Sequence, residues 1–212
     1  MQGTEQHLQD LSQIRQMMER SSRFLSLSGF SGIFIGLFAL IGAAVAFWYL
    51  DMDFSIAHEY NIERELNGRL QPSFYIFFFT DAILVLAASL LAAFYFSARK
   101  ARKNGYALWD GTARRLLANL FIPLVAGGIF CIILLYHGAV GFVAPVTLIF
   151  YGLALLNASK YTYDDIRALG LCEIALGLIA AFLLGYGLLF WAIGFGVLHI
   201  IYGILLYTKY EK

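Results

Sequence analysis

Long apolar runs alternate with short polar connections along this chain, and the connections that carry positive charge limit what it can fold into. Six runs, near residues 29–50, 73–97, 116–136, 141–157, 168–186 and 188–207, hold few ionisable groups. Arg15, Arg20 and Arg23 precede the first run. Arg99, Lys100, Arg102, Lys103, Arg114 and Arg115 lie between the second and third. Lys160 and Arg167 separate the fourth from the fifth, and Lys209 and Lys212 follow the sixth; only Arg64 and Arg69 fall elsewhere. Loops left in the cytoplasm retain Lys and Arg. The pattern predicts an all-α polytopic membrane protein of six transmembrane helices, arranged as three sequential hairpins. Both termini would face the cytoplasm of a bacterial inner membrane.

Composition agrees. A chain 60% hydrophobic and only 14% charged is not an ordinary soluble domain. A bilayer core needs about 20 apolar residues per helix, so six spans leave no room for a soluble catalytic domain. The fourth run is shortest, bounded by Gly141 and Asn157, and can draw on His137–Val140. The formal charge of +1, spread along one membrane face, predicts no nucleic-acid partner. The polar stretch with Glu5, Asp10 and Glu19 ahead of the first run is unlike a cleavable signal peptide, so the first span reads as an uncleaved anchor. Cys131 and Cys172 fall in spans at different depths, which predicts two free thiols.

Three regions follow: residues 1–27 as a cytoplasmic amphipathic helix, 28–208 as the transmembrane domain, and 209–212 as a cytoplasmic tail. Leu8, Leu11, Ile14, Met18 and Leu25 share one helical stripe. That stripe suits the inner leaflet, a docking helix, or packing against the protein's own inner loops, the last being preferred. The outer loop 51–72 is acidic, contains a possible short helix at Ile62, Leu66 and Leu70, and ends at Pro72. The inner loop 99–115 carries turn signals at Asn104-Gly105 and Asp110-Gly111, with Tyr106 and Trp109 at the interface. Gly185-Tyr186-Gly187 forms a tight outer connection.

Internal repetition is visible. At an offset of 51, Ile149, Tyr151, Gly152 and Leu155 coincide with Ile200, Tyr202, Gly203 and Leu206. At an offset of 141, Gly29, Ile33, Gly36, Leu37 and Ala39 coincide with Gly170, Ile174, Gly177, Leu178 and Ala180. At an offset of 92, Arg23, Gly36 and Phe38 match Arg115, Gly128 and Phe130. On Gly36-Leu37, Gly177-Leu178, Tyr151-Gly152 and Tyr202-Gly203, the chain resembles small bacterial inner-membrane proteins built as glycine-rich hairpins, such as the HdeD acid-resistance family. The resemblance implies a stress or envelope role and carries over no functional residue. The long outer loop and the polar amino-terminal segment depart from that pattern.

Three ionisable groups fall at membrane depth: Asp81 in the second span, Glu173 in the fifth and His199 in the sixth. Charge there costs roughly 2.5–3.5 kcal/mol on insertion scales, so they are candidates for a polar relay. Each also has a structural explanation, as a snorkelling acid, a hydrogen-bonded acid or a neutral interior histidine. Pro123 and Pro145 mark expected helix kinks, with Asn119 one turn before Pro123 as a possible partner for the freed backbone. Ser28, Gly32 and Gly36, and Gly170 with Gly177, mark faces where helices approach closely. No metal or cofactor signature is present. The expected function is non-enzymatic: a sensory, regulatory or scaffold protein of the cell envelope, contacting partners or itself through residues 4–25 and 99–115. The competing expectation is a small transporter or proton conductor using Asp81, Glu173 and His199.

Overall fold

The computed structural model describes residues 24, 26–50, 72–105 and 109–212. The expected amphipathic helix over 4–25 (Phe24 excepted), the short helix near Ile62, Leu66 and Leu70, and Tyr106 lie outside the described residues. Among the described residues every regular element is helical and none is a strand. α1 spans Gly29–Tyr49, α2 Pro72–Asn104 and α3 Gly111–Tyr136. α4, Val143–Ala158, is extended by 3-10 turns at Val140–Phe142 and Ser159–Tyr161. α5 is Asp165–Phe182. A last helical run, Leu184–Tyr210, contains α6 (Gly187–Trp191), a π-helical segment (Ala192–Leu198) and α7 (His199–Tyr210).

Five of these stretches are long and apolar enough to cross a membrane: α1, α2, α3, Val140–Tyr161 and Leu184–Tyr210. α5 differs because its 18 residues include Asp165, Arg167 and Glu173.

Helix ends follow local chemistry. Pro72 opens α2, where a missing N–H costs nothing. Asp110 caps α3 by accepting the Ala113 N–H at 2.7 Å, so the Asp110-Gly111 turn is also a helix start. Pro123 sits inside an α3 that continues unbroken. The Asn119 side chain donates to the Arg115 carbonyl at 2.8 Å and so leaves the carbonyl that Pro123 frees to other partners. Pro145 lies in the first turn of α4, where backbone N–H groups have no intrahelical partner anyway.

Beside a small apolar cluster of Leu155, Tyr163, Ile166, Leu169 and Leu206, the interior holds many small and polar residues, and many large apolar side chains face outward. Ser26, Ser28, Ser31, Lys100, Glu173 and His199 are buried, whereas Leu84, Leu91 and Ile122 are 64%, 71% and 70% exposed. Soluble proteins rarely expose apolar surface on this scale. Lipid supplies no hydrophobic drive between helices, so close backbone packing has to hold them.

Glycines provide that packing at two interfaces, α4 on α5 and α1 on the last run. A methyl group at Gly170 would lie 2.8 Å from the Gly152 carbonyl oxygen, and one at Gly203 would lie 2.8 Å from that of Gly29. At Gly177 it would meet the Pro145 carbonyl at 2.8 Å and Ile149 Cγ1 at 2.7 Å. At Gly36 it would meet the Gly196 carbonyl at 2.5 Å and Ile200 Cγ1 at 2.7 Å. The offsets of 51 and 141 seen in the sequence therefore relate one interface to the other, contact for contact.

A polar network fastens the end of the bundle where α1 begins and the last run ends. Lys100 Nζ, on α2, donates to the Leu27 carbonyl at 2.7 Å, the Tyr163 hydroxyl at 3.1 Å and Glu211 Oε1 at 3.2 Å. Glu211 accepts the Gly29 N–H at 2.5 Å and the Ser28 hydroxyl at 3.2 Å. The N-cap Ser28 makes no side-chain cap of its own, so a carboxylate from the far end of the chain serves the start of α1 instead. Lys209 and Tyr210 close on Asp165 beside it, at 3.0 and 2.8 Å.

Candidate functional site

Gly170, Glu173 and Gly177 are spaced by three and four residues, so they share one stripe of α5. All three are buried. The glycines draw α4 close, and that closeness traps the Glu173 side chain in the interface with no exposed surface. At the offset of 141, Glu173 occupies the position that Gly32 holds on α1, between Gly29 and Gly36. Packing at this position is therefore satisfied by a residue with no side chain, and it does not call for an acid.

The last run supplies the opposite wall. A methyl group at Gly194 would lie 2.5 Å from both Glu173 Oε2 and Leu148 Cδ2, so only glycine leaves space for the carboxyl. Gly194 belongs to the π-helical segment that ends at His199. Such segments insert an extra residue into the helical turn and recur at functional sites. His199 Nδ1 lies 3.0 Å from the Gly194 carbonyl oxygen and Nε2 lies 2.7 Å from the Tyr151 hydroxyl. A carbonyl only accepts, so Nδ1 carries a proton. With neutral imidazole, Nε2 then accepts from the Tyr151 hydroxyl. Trp191, Phe195 and His199 follow one another at four-residue spacing, with ring centroids 4.9 and 6.0 Å apart. They wall the cluster with aromatic surface.

Glu173 Oε1 is 3.6 Å from His199 Nδ1, beyond a good hydrogen bond. Neither carboxyl oxygen has a hydrogen-bond partner among the described residues. Leaving a buried polar group unsatisfied costs about 1–3 kcal/mol. The cluster is electrically balanced when acid and imidazole are both neutral, or when the acid's proton sits on the imidazole. Gaining or losing one further proton leaves a net charge in a low-dielectric site, where Tyr151 and Gly194 bond the imidazole and no described group bonds the carboxyl. The arrangement can therefore hold a proton and couple its exchange to helix packing.

The other candidates lie elsewhere. Asp81 is half-buried on α2 against α1, its carboxylate oxygens 3.4 and 3.5 Å from where a methyl at Gly42 would sit. It is not in the Glu173–His199 cluster. Asn119 bonds within its own helix, and Pro123 lies on α3. Pro145 packs beneath Gly177. Ser28, Gly32 and Gly36 line the α1 face toward the last run, with Gly32 against Gly203 and the His199 carbonyl. Cys131 and Cys172 are free. No group of three His, Cys, Asp or Glu side chains converges among the described residues.

Sequence reasoning missed two participants. Tyr151 was visible only as a repeat-matched tyrosine, and its pairing with His199 depends on how α4 is rotated. Gly194 was hidden among many glycines. The signal that marks the site is Glu173 itself, an acid in register with Gly32.

No family model matches the chain, and no curated protein or solved structure matches it either.

Proposed function

We propose that this chain is a non-enzymatic inner-membrane protein that senses or regulates in response to protons held by Glu173 and His199. It would have six spans in three sequential hairpins, α5 being the sixth-span-forming addition to the five apolar stretches. Its basic connections and both termini would lie in the cytoplasm. One observation carries the proposal: Glu173 is wholly buried, neither oxygen is hydrogen-bonded, and His199 Nδ1 lies 3.6 Å away. An ionisable group held inside a bilayer at such cost is a functional candidate by default. A change in its protonation leaves an unbalanced charge between α5 and the π-helical segment, and relief requires those helices to move or admit water. A stress or envelope role, as the glycine-hairpin resemblance implies, is consistent with this.

The test is hydrogen exchange over residues 192–198 in lipid vesicles across a range of pH. The wild type should show a pH-dependent opening that Glu173→Gln removes, with insertion unchanged. A wild-type segment indifferent to pH sinks the proposal.

The conductor reading is favoured by one observation: Tyr151, His199 and Glu173 form a line of exchangeable groups with steps of 2.7 and 3.6 Å. Asp81 does not extend that line. Proton flux in wild-type vesicles, lost in Glu173→Gln, would establish conduction; pH-dependent opening without flux supports the sensor.

A further inference from the structure

Groups able to pass a proton lie on one side of the Glu173–His199 pair and are missing from the other. Away from the Lys100–Glu211 end, residues 174–182 of α5, 192–198 of the last run and 33–47 of α1 carry no hydroxyl, thiol, carboxyl or basic side chain. Thr147, on the same stretch of α4, donates to the Ala144 carbonyl of its own helix at 2.8 Å. Packing closes that side as well. A methyl at Gly177 would lie 2.8 Å from the Pro145 carbonyl, one at Gly194 would lie 2.5 Å from Leu148 Cδ2, and the Trp191 and Phe195 ring centroids are 4.9 Å apart.

Toward the Lys100–Glu211 end the seam between α5 and α7 has a different make-up. Asp165, Leu169 and Cys172 follow one another at spacings of four and three on α5, ending beside Glu173. His199, Tyr202, Leu206 and Lys209 follow at three, four and three on α7. Each set shares one helical stripe, and the stripes meet in rungs. Glu173 faces His199 at 3.6 Å. The Tyr202 hydroxyl is hydrogen-bonded to the Cys172 thiol. Leu169 and Leu206 belong to one buried apolar cluster. Asp165 holds Lys209 and Tyr210 at the mouth. Among the described residues, the titratable groups facing Glu173 are His199 and, from α4, Tyr151. Those facing Asp165 are Lys209, Tyr210 and Tyr202.

We infer that the Glu173–His199 site exchanges its proton through the α5–α7 seam with the Lys100–Glu211 face alone, an inference that rests on the proton-sensing reading and says which compartment is sensed. Asp165 and Glu173 are eight residues apart, about 12 Å of helix. The Tyr202 hydroxyl and Cys172 thiol cover the inner part of that distance, each giving up one proton as it accepts another. Leu169 and Leu206 interrupt the outer part. An apolar gap of this kind stays dry, so a proton crosses only when the two leucines part and admit water. A site with one entrance senses and does not conduct.

The experiment uses sealed lipid vesicles holding the protein in one orientation, verified by impermeant labelling of Lys212→Cys, with pH set separately on each side. Hydrogen exchange of residues 192–198 should follow the pH at the Lys100–Glu211 face and ignore the pH at the other. After a pH jump on that face, Tyr202→Phe, which keeps the ring and removes the relaying hydroxyl, should slow the response and leave its pH midpoint in place. Exchange that follows the opposite face, or both faces, overturns the inference while proton sensing stands. Indifference to pH on both faces sinks proton sensing and this inference with it. A Tyr202→Phe protein that responds as fast as wild type, or whose midpoint moves at unchanged rate, removes the seam as the route.

Discussion

Glu173 Oε1 lies 3.6 Å from His199 Nδ1 across the contact between α5 and the last helical run, and neither Glu173 oxygen is hydrogen-bonded. The imidazole, by contrast, uses both nitrogens on Gly194 and Tyr151. One partner of this pair is satisfied and the other is not, so stability and function should separate when each is changed.

Glu173→Met is expected to stabilise the protein by about 1–3 kcal/mol, the cost of an unsatisfied buried polar group. The thioether chain keeps the volume beside Gly194 and needs no partner. His199→Ala should destabilise, because it strands the Gly194 carbonyl and the Tyr151 hydroxyl and opens a void. Thermal unfolding in mild detergent measures both. A Glu173→Met protein that melts lower than wild type would mean the carboxyl has a stabilising partner.

Glycine substitutions should divide by interface. A methyl at Gly152 meets the Gly170 carbonyl at 2.5 Å, and backbone on a packed helix cannot step aside. Gly152→Ala is expected to cost about 1–3 kcal/mol as an overpacking change. Gly128→Ala, with open space around it, should leave the unfolding of the single chain unimpaired. Equal losses at the two positions would contradict the packing described.

Lys100 and Lys209 should behave differently. Lys100→Met removes the cation from a buried network, leaving Glu211 without its counter-charge and the Leu27 carbonyl without its donor, a loss of about 3 kcal/mol. Lys209 is 58% exposed where it meets Asp165, and exposed pairs contribute little. Lys209→Met should leave the melting temperature within error. The same detergent melts decide it.

Sidedness gives a test of the proposed spans. Cysteines at Arg102, Lys160 and Lys212 should react with an impermeant reagent from one face of the membrane, and those at Ala139 and Tyr186 from the other. Labelling of positions 160 and 186 from the same face would remove α5 as a span.

Much of the helical layout was legible because apolar runs and their charged punctuation act locally. The Asp110-Gly111 turn was readable as a break, and the structure adds that Asp110 caps the helix it precedes. Pro123 reads as a kink site from the sequence, and the structure places it inside α3, whose helical run continues on both sides of it. The Gly170 and Gly177 face was readable from spacing, and so was the presence of Glu173 within it. What spacing did not reveal was that α7 brings His199 to that face, or that α4 brings Tyr151.

By itself the sequence determined that the chain is helical and which residues share each helical face. Apolar segments in lipid must satisfy their backbone groups internally, and a helix does this from local contacts alone. Only the tertiary structure decided which faces meet. The π-helical segment at Ala192–Leu198 shifts the register of everything beyond it, so the heading of His199 cannot be extrapolated from Gly187. Lys100 and Glu211 meet across 111 residues, a separation over which helical period carries no information and rigid packing of backbone on backbone sets the outcome.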